Sequence, residues 1–315
     1  MMFHAPNLNP EMRMDAARFN DFSRRLSPET RILCDEPLAR RTTLRVGGPA
    51  DLLIEPATED DLATVVRLCR AQRMPLMILG RGSNLLVKDS GFRGVVVCLA
   101  HPHFSRIEVN GCRLVCGAGA RLKAVASEAK RGGIGKLEFL EGIPGSVGGA
   151  LRMNAGAMGS AIFDVVEKIR VMDFSGNIEE RLAAQVVARY RSCPFLKERL
   201  ALSVVLVGEA AERQAIEERL GEYNRRRWTS QPAAPSAGCV FKNPGELPAG
   251  RLIDELGLKG TRVGGAMVSH EHGNFIINAG GATAQDILDL IELIRRRARA
   301  ERGIELETEV QIVGD

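Results

Sequence analysis

Two glycine-rich segments carry the residues best suited to bind a ligand. Residues 80–86 read GRGSNLL and follow the strand-like residues 76–79, whereas residues 138–156 read EFLEGIPGSVGGALRMNAG. Glycine lets the backbone adopt positive φ and approach a ligand closely, and Pro144 fixes one turn. Backbone N–H groups presented in this way suit a phosphate. Two such segments predict a ligand with a central pyrophosphate, and they argue against an ordinary helix or strand over residues 138–156.

The usual dinucleotide fingerprint is absent from the chain. That fingerprint is Gly-x-Gly-x-x-Gly at the start of a helix, with an acidic residue about 20 positions later. The pairs Gly80-x-Gly82 and Gly117-x-Gly119 both lack the third glycine. A standard Rossmann site is therefore disfavoured, and tight surface turns remain the alternative for each segment.

The elements around these segments are predicted from local signals. Thr58 before three acidic residues indicates the start of a helix, and Gly132-Gly133 indicates the end of another over residues 122–131. The pair Asn110-Gly111 predicts a type I′ turn in a hairpin over residues 107–116. The remaining predictions are strands at 95–99, 202–207, 274–278 and 304–313, a hairpin beginning at 165–174, a charged amphipathic helix at 211–228, a helix near 250–257 and a long helix capped by Thr283.

Length and composition indicate a globular protein with two cores. The 315 residues exceed the size at which single cores stop growing, about 250–300 residues. We expect an N-terminal extension at 1–35 and domains at 36–208 and 209–315. No apolar run approaches the ~20 residues of a membrane span, and the first residues lack a signal sequence. These features predict a cytoplasmic protein.

Cysteine usage and charge narrow the classes of partner. The seven cysteines include no Cys-x-x-Cys pair, so we expect neither a metal site nor a disulfide framework. Arginines cluster at 225–227 and 295–299, and the second cluster is typical of the solvated face of a helix. One Trp and two Tyr give little support for nucleic-acid binding. We expect a monomer that acts on a small molecule, without nucleic-acid or membrane partners.

Six motifs in order give the chain a family resemblance. They lie at residues 41–51, 80–86, 142–156, 190–193 with Cys193 in a serine-like position, 238–244 and 306–310. In this order they resemble the UDP-N-acetylenolpyruvoylglucosamine reductase family (MurB). The resemblance covers residues 41–313. The short segment between Arg191 and Cys239 is similar to the type that lacks an extra tyrosine-bearing loop.

The resemblance implies a fold, a cofactor and a reaction. The fold is α+β, with a two-subdomain FAD-binding fold of the vanillyl-alcohol-oxidase (PCMH) type followed by a smaller α+β substrate-binding domain. NADPH would reduce a noncovalent FAD, which would reduce the enolpyruvyl ether of UDP-N-acetylglucosamine to the lactyl ether of UDP-N-acetylmuramate. The residues implied to bind FAD are Gly80, Arg81, Gly82, Ser83, Asn84, Leu85, Gly142, Ile143, Pro144, Gly145, Gly148, Gly149, Asn154, Ala155 and Gly156.

The resemblance also implies three catalytic residues, Arg191, Cys239 and Glu309. Hydride delivery to the enolpyruvyl methylene carbon builds an enolate, which needs a cation, a hydrogen-bonding acid and a proton donor. Arg191 would hold the carboxylate through two hydrogen bonds, and Glu309 would share a proton with the enolate. From spacing alone, Glu309 could instead face outward from an edge strand.

The clearest departure from the family pattern is Cys239, because serine is the usual residue there. A thiol can donate the proton, although Arg191 nearby could stabilise the thiolate, which cannot donate. A buried structural cysteine is the alternative.

Residues implied to contact the substrate are Tyr190, Arg227, Lys242, Asn243 and His272. Ser230 stands where some members of the family carry lysine, so one phosphate contact is missing. His272 could equally be a surface histidine.

Two other functions remain open at this stage. A flavin-dependent oxidase or dehydrogenase of the same fold would act on another small substrate and often holds its flavin covalently through histidine. A non-catalytic nucleotide-sugar or nucleic-acid binder would be colourless.

Overall fold

A computed structural model describes residues 2–3 and 15–314 of the chain. Residues 4–14 of the predicted N-terminal extension lie outside the described part. The chain divides into two compact units. Unit 1 comprises Met1–Asp35, Asp51–Gly80 and Arg93–Arg225, and unit 2 comprises Glu36–Ala50, Arg81–Phe92 and Arg226–Asp315. The domain boundaries at residues 35 and 208 stay a prediction.

The described residues contain both helices and strands, as expected for an α+β fold. The helices are α1 (Ala16–Arg25), α2 (Glu59–Ala71), α3 (Pro102–Ser105), α4 (Leu122–Arg131), α5 (Val147–Met153), α6 (Arg213–Ser230), α7 (Ala249–Glu255) and α8 (Ala284–Arg302). The strands are β1 (Met2–Phe3), β2 (Arg31–Pro37), β3 (Pro49–Glu55), β4 (Leu76–Leu79), β5 (Leu85–Val87), β6 (Phe92–Cys98), β7 (Ile107–Asn110), β8 (Arg113–Gly117), β9 (Ile134–Gly135), β10 (Gly156–Ala157), β11 (Ser160–Ala161), β12 (Val166–Asp173), β13 (Ile178–Leu182), β14 (Arg199–Val207), β15 (Glu209–Ala210), β16 (Ser236–Cys239), β17 (Arg262–Val263), β18 (Ala266–Val268), β19 (Phe275–Asn278) and β20 (Gln311–Val313).

The first sheet has the strand order β1-β4-β6-β3-β2, and β4 and β6 run parallel. Helix α2 contributes an apolar face to the core of this sheet. The predicted cap at Thr58 is confirmed: its Oγ1 accepts from Asp61 N at 3.0 Å, and Thr58 N donates to Asp61 Oδ2 at 3.2 Å. The N–H groups of Thr58 and Asp61 at the start of α2 are therefore paired locally.

A second sheet in unit 1 is antiparallel, in the order β13-β12-β14-β8-β7. Its core includes residues of α4 and α5. The hairpin at 107–116 is confirmed, but the type I′ turn is wrong, because Asn110 pairs with Arg113 inside the ladder. Among the residues of this turn, only Gly111 takes positive φ (56°), as a turn with glycine at its first central position requires.

The expectation that residues 138–156 form no helix is also wrong. Helix α5 spans Val147–Met153 despite containing Gly148 and Gly149. A Cβ on Gly148 would lie 3.1 Å from the Cβ of Ala118, so the glycine allows close packing. Favourable packing in the core offsets the low helix propensity of glycine, which is about 1 kcal/mol worse than alanine.

Unit 2 contains a four-stranded antiparallel sheet, β16-β19-β18-β17, packed in one core with α7 and α8. The predicted cap of α8 is confirmed, since Thr283 Oγ1 accepts from Asp286 N at 3.0 Å. The last strand is shorter than the predicted 304–313: only Gln311–Val313 pairs in parallel with β5. Residues before it lie along a different segment, through an isolated bridge between Phe241 and Thr308.

No helix among the described residues combines the length and the apolar character that crossing a membrane would need.

Candidate functional site

The two glycine-rich segments meet within unit 1 at Gly80 and Ser146. A Cβ on Gly80 would lie 2.5 Å from Ser146 Oγ, closer than real Cβ contacts allow. Glycine at position 80 thus lets the first residue of the 80–86 segment approach the start of α5. This contact joins segments 66 residues apart, and it forms a cradle that a side chain would fill.

The glycines of the second segment act through space rather than through positive φ. Positive φ was expected for Gly142, Gly145, Gly148, Gly149 and Gly156, and none of them shows it. In the first segment, Gly82 does, at 60°. The N–H groups of Val147 and Gly148 donate to Ala120 O and Ala118 O, at 2.9 and 2.8 Å, so these amides serve packing rather than a phosphate.

The Tyr190-Arg191 pair forms the tip of a tight turn in unit 1. Arg189 and Ser192 exchange both backbone hydrogen bonds, at 2.8 and 3.1 Å. Arg191 takes positive φ (52°), which is uncommon for a residue with a long side chain. Its guanidinium carbon lies 5.0 Å from the centre of the Tyr190 ring, and Tyr190 is 60% exposed. The turn therefore presents a cation and an aromatic ring together.

The Asn154–Gly156 end of the second segment lies against this turn. Asn154 ends α5 in the left-handed conformation (φ 40°, ψ 54°). Its Nδ2 donates to Arg189 O at 3.2 Å, and its Oδ1 accepts from Phe163 N at 3.3 Å. Ala155 O accepts from Ile162 N, while Gly156 pairs with Ala161. The structure thus joins two of the predicted motifs, residues 142–156 and 190–193.

Cys193 and Arg152 form a buried pair just behind the turn. Cys193 is fully buried, and this burial raises the pKa of its thiol. Burial likewise lowers the pKa of Arg152, although the nearby Cys193 acts in the opposite direction. Cys193 N donates to Arg152 O at 3.1 Å. The serine-like position is therefore occupied by a neutral thiol in the interior.

In unit 2, Cys239 and Glu309 are brought together by the backbone. Glu309 N donates to Val240 O at 2.8 Å, and Lys242 N donates to Glu307 O at 2.9 Å. Cys239 is half-buried at the end of β16, where it pairs with Phe275. Glu309 is half-buried as well. The alternative, in which Glu309 faces outward from an edge strand, does not hold, since β20 begins two residues later.

Part of the first glycine-rich segment completes this arrangement. Asn84 Nδ2 donates to Glu309 O at 3.1 Å, and Gln311 N donates to Asn84 O at 3.1 Å. A Cβ on Gly238 would lie 4.0 Å from Ser83 O. Leu85 is buried at the start of β5, whereas Arg81 is exposed. Three predicted motifs therefore meet inside unit 2.

Asn274 holds the Cys239 segment in place, and sequence reasoning missed it. This residue is 3% exposed. Its Oδ1 accepts from Phe241 N at 2.9 Å, and its Nδ2 donates to Phe241 O at 2.8 Å. Its own backbone carbonyl accepts from Val240 N at 2.9 Å. A buried asparagine that satisfies both backbone groups of one residue substitutes for a β-ladder. The only sequence signal was its place after His272-Gly273.

Most of the residues implied to bind substrate have protein partners of their own. Lys242 forms an ion pair with Glu307, and Asn243 Oδ1 accepts from Ala249 N at 3.0 Å, at the start of α7. His272 Nδ1 accepts from Asn274 N at 3.1 Å, and desolvation by burial, together with nearby Lys259, lowers the pKa of its imidazole. His272 is half-buried.

The end of α6 in unit 2 exposes an aromatic residue beside a cation. The guanidinium carbon of Arg227 lies 5.4 Å from the centre of the Trp228 ring, and Trp228 is 60% exposed. Ser230 Oγ donates to Arg226 O at 2.8 Å, so the residue that stands in place of lysine bonds its own helix.

Among the described residues, no group of three or more His, Cys, Asp or Glu side chains could hold a metal ion. No disulfide bond joins any two of the seven cysteines.

Comparison with known proteins places the whole arrangement in one family. A curated UDP-N-acetylenolpyruvoylglucosamine reductase from Heliobacterium modesticaldum is 46% identical over 285 residues, covering 89% of this chain and 90% of the relative. The chain belongs to the UDP-N-acetylenolpyruvoylglucosamine reductase family. A relative of the same name from Bacillus velezensis is 41% identical over 287 residues, covering 90% of this chain and 94% of the relative.

Domain and structure comparisons agree with this family. The model of the C-terminal domain of UDP-N-acetylenolpyruvoylglucosamine reductase matches residues 231–313, and that of an FAD-binding domain matches residues 50–181. The crystal structure of the family member from Thermus caldophilus is 38% identical, with a TM-score of 0.79 over 91% of this chain and 99% of that chain. The implied fold, an FAD-binding fold of the PCMH type followed by a smaller α+β domain, is confirmed.

Proposed function

We propose that the chain reduces UDP-N-acetylglucosamine enolpyruvate to UDP-N-acetylmuramate in peptidoglycan precursor synthesis, with noncovalent FAD and with NADPH as reductant. When bound, FAD supplies hydride transfer from NADPH to the substrate. The enolpyruvyl double bond gains a hydride at its methylene carbon and a proton at the adjacent carbon, which leaves a lactyl ether. The relatives named for this reductase activity, which cover about nine-tenths of the chain, support the proposal.

Gly80 and the start of α5 would hold the cofactor. The close approach of Gly80 to Ser146 fits a group that needs backbone contact without intervening side chains. The rest of the FAD site comprises Arg81, Gly82, Ser83, Asn84 and Leu85 in the first segment, and Gly142, Ile143, Pro144, Gly145, Gly148, Gly149, Ala155 and Gly156 in the second.

Arg191 binds the carboxylate of the enolpyruvyl group. A planar guanidinium matches a carboxylate with two parallel hydrogen bonds and stabilises the charge that develops on it during reduction. The turn between Arg189 and Ser192 supports this role, because its two hydrogen bonds hold the backbone of Arg191 in the left-handed conformation.

Cys239 donates its thiol proton to the carbon that bears the ether oxygen, and Glu309 hydrogen-bonds the enolate. A single observation carries this pairing: Glu309 N donates to the carbonyl of Val240, the neighbour of Cys239. This backbone bond keeps the two chain segments that carry Cys239 and Glu309 next to each other, which supports placing both acids at one substrate. Tyr190, Arg227, Lys242, Asn243 and His272 would contact the UDP-sugar.

The proposal includes a monomeric enzyme in the cytoplasm, where NADPH and nucleotide sugars are made, without nucleic-acid or membrane partners. The small number of aromatic residues, one Trp and two Tyr, supports the absence of a nucleic-acid partner. The monomeric state is the part of this proposal with a direct test. Size-exclusion chromatography with light scattering tests it, and a mass of twice 34.2 kDa would contradict it.

An anaerobic spectroscopic titration tests the function. The purified chain should be yellow, lose its flavin absorbance on addition of NADPH and regain it on addition of UDP-N-acetylglucosamine enolpyruvate, with UDP-N-acetylmuramate found by mass spectrometry. Denaturation should release FAD into the filtrate. Flavin retained on the denatured polypeptide, without recovery of absorbance by the UDP-sugar, would favour the oxidase alternative. A colourless protein that FAD does not reconstitute would rule out both.

A further inference from the structure

Both ends of the Asn154 side-chain amide bond to backbone groups of unit 1. Its Nδ2 donates to Arg189 O, and its Oδ1 accepts from Phe163 N. The orientation of the amide is unambiguous, because a carbonyl needs the nitrogen and an N–H needs the oxygen. Family resemblance had placed Asn154 among the cofactor contacts. The two bonds point to a different task for its side chain.

The turn that carries Arg191 needs outside support. A non-glycine residue in the left-handed region costs on the order of 1 kcal/mol or more and persists only when its surroundings fix it. Arg191 lies in that region, at φ 52°. The turn closes through two hydrogen bonds between Arg189 and Ser192, and such a short turn is free to change conformation unless its flanks are anchored.

The end of α5 supplies an anchor on each flank of the turn. Asn154 Nδ2 holds the carbonyl of Arg189 on one side, and Arg152 O accepts from Cys193 N at 3.1 Å on the other. Asparagine tolerates the left-handed conformation that places its amide there, since its short side chain bonds locally. The same short helix begins at the Gly80–Ser146 contact.

We propose that Asn154 is a positioning residue for substrate binding: its amide fixes the Arg189–Ser192 turn so that Arg191 is held ready to bind the substrate carboxylate. This inference rests on the proposed function, because it assigns Arg191 that carboxylate. In this assignment the side chain of Asn154 acts through the turn that carries Arg191.

Two variants separate this role from a cofactor contact. Asn154→Asp keeps the size and the acceptor but loses the donor to Arg189 O, whereas Asn154→Gly keeps the left-handed backbone and loses both bonds. In the holoenzyme, each variant should weaken substrate binding, measured by calorimetry, about three- to tenfold. This is the effect of losing one modest hydrogen bond, the bond to Arg189 O that both variants lack. FAD content and the rate of flavin bleaching by NADPH should match those of the wild type.

Two further measurements report on the turn itself. Hydrogen exchange of a peptide covering residues 189–192 should speed up about tenfold in Asn154→Asp, while peptides of α4 stay unchanged. Combined with Arg191→Lys, Asn154→Asp should add no further loss of substrate affinity, because its effect passes through Arg191.

Several outcomes would overturn the inference. They are loss of FAD with normal substrate affinity in the refilled holoenzyme, unchanged exchange at residues 189–192, or full additivity with Arg191→Lys. Failure of the wild type to regain flavin absorbance with the UDP-sugar would instead reject the proposed function. In that case the exchange measurement still decides whether Asn154 anchors the turn.

Discussion

Glu309 donates its backbone N–H to the carbonyl of Val240 at 2.8 Å, directly beside Cys239. Val310 N approaches the same carbonyl at 3.3 Å. Because these bonds belong to the backbone, substitution of the Cys239 side chain leaves the placement of the Glu309 backbone intact. The two acids can therefore be tested separately.

Cys239→Ala should lose about 10²–10⁴-fold in the rate at which substrate restores flavin absorbance, which is the usual effect of removing one positioned acid. Cys239→Ser should keep substantial activity, because a hydroxyl can take the same position. Stopped-flow spectroscopy of the two half-reactions measures both. Full activity in the alanine variant would return Cys239 to a packing role and leave solvent or Glu309 as the proton source.

Activity of the wild type should fall at alkaline pH, because a thiolate has no proton to donate. An ordinary cysteine thiol has a pKa of about 8.5. Since serine does not titrate in this range, the alkaline decline should shift or vanish in Cys239→Ser. The measurement is kcat/KM between pH 6 and 10. An identical alkaline decline in the wild type and in Cys239→Ser would assign the titration to another group.

Arg191→Lys keeps the positive charge but should lose more activity than this similarity suggests. An ammonium group cannot form two parallel bonds to a carboxylate, so we expect a loss of about 10- to 100-fold in reoxidation by substrate, the effect of one charged hydrogen bond. Flavin reduction by NADPH should stay nearly unchanged. Equal slowing of both half-reactions would mean that Arg191 supports the fold or the cofactor.

Gly80→Ala should yield folded protein that retains FAD about tenfold less well, because the new Cβ would lie 2.5 Å from Ser146 Oγ. Adding Ser146→Ala should restore much of the loss, since the nearest remaining atom, Ser146 Cβ, is 3.7 Å away. Gly221→Ala in α6 is the matched control, because the nearest atom to its Cβ, Arg225 Nη1, is 4.0 Å away and Gly221 has no place in the proposed site. Flavin content after desalting is the readout. Normal content in Gly80→Ala would mean that this contact is only a turn.

Local signals predicted the fold well where one residue decides an outcome. The caps at Thr58 and Thr283 were confirmed because each side chain bonds an amide three positions ahead. The strand predicted at 304–313 was too long: only Gln311–Val313 forms a strand, whereas Glu309 and Val310 bond to the carbonyl of Val240. Such a partner lies far along the chain, and periodicity carries no information about it.

The candidate site shows the same division. Glycine content located both segments that meet at Gly80 and Ser146, but the reason was spatial rather than the expected positive φ. Asn274 escaped notice because a buried asparagine gives no periodic signal. Its function depends on where Phe241 lies, and only the folded chain shows that.

Asn274→Ala should lower the free energy of unfolding by about 2–4 kcal/mol, because it leaves the buried N–H and C=O of Phe241 unpaired. Asn274→Asp keeps the acceptor for Phe241 N and should cost less. Urea unfolding of the apoprotein measures both. At temperatures where the alanine variant is folded, reoxidation by substrate should slow because the Cys239 segment shifts. A loss below about 0.5 kcal/mol, which is typical of a surface substitution, would show that water replaces the amide.

His272 should make the fold sensitive to acid. Burial and nearby Lys259 lower the pKa of its imidazole from the ordinary 6.5, so the unfolded chain binds the proton more readily than the folded chain. The stability it contributes is complete above pH 6.5 and is lost as the pH falls below that value toward the lower pKa of the folded state. His272→Asn removes the titration while its carbonyl can still accept from the N–H of Asn274, as the imidazole does. The urea midpoint should therefore fall less between pH 7.5 and 5.5, a range of about two units around the ordinary histidine pKa, in His272→Asn than in the wild type.

His270→Asn, two residues earlier, is the control and should follow the wild type. Parallel midpoints in all three proteins would show that His272 stays neutral in both states or is protonated equally in them.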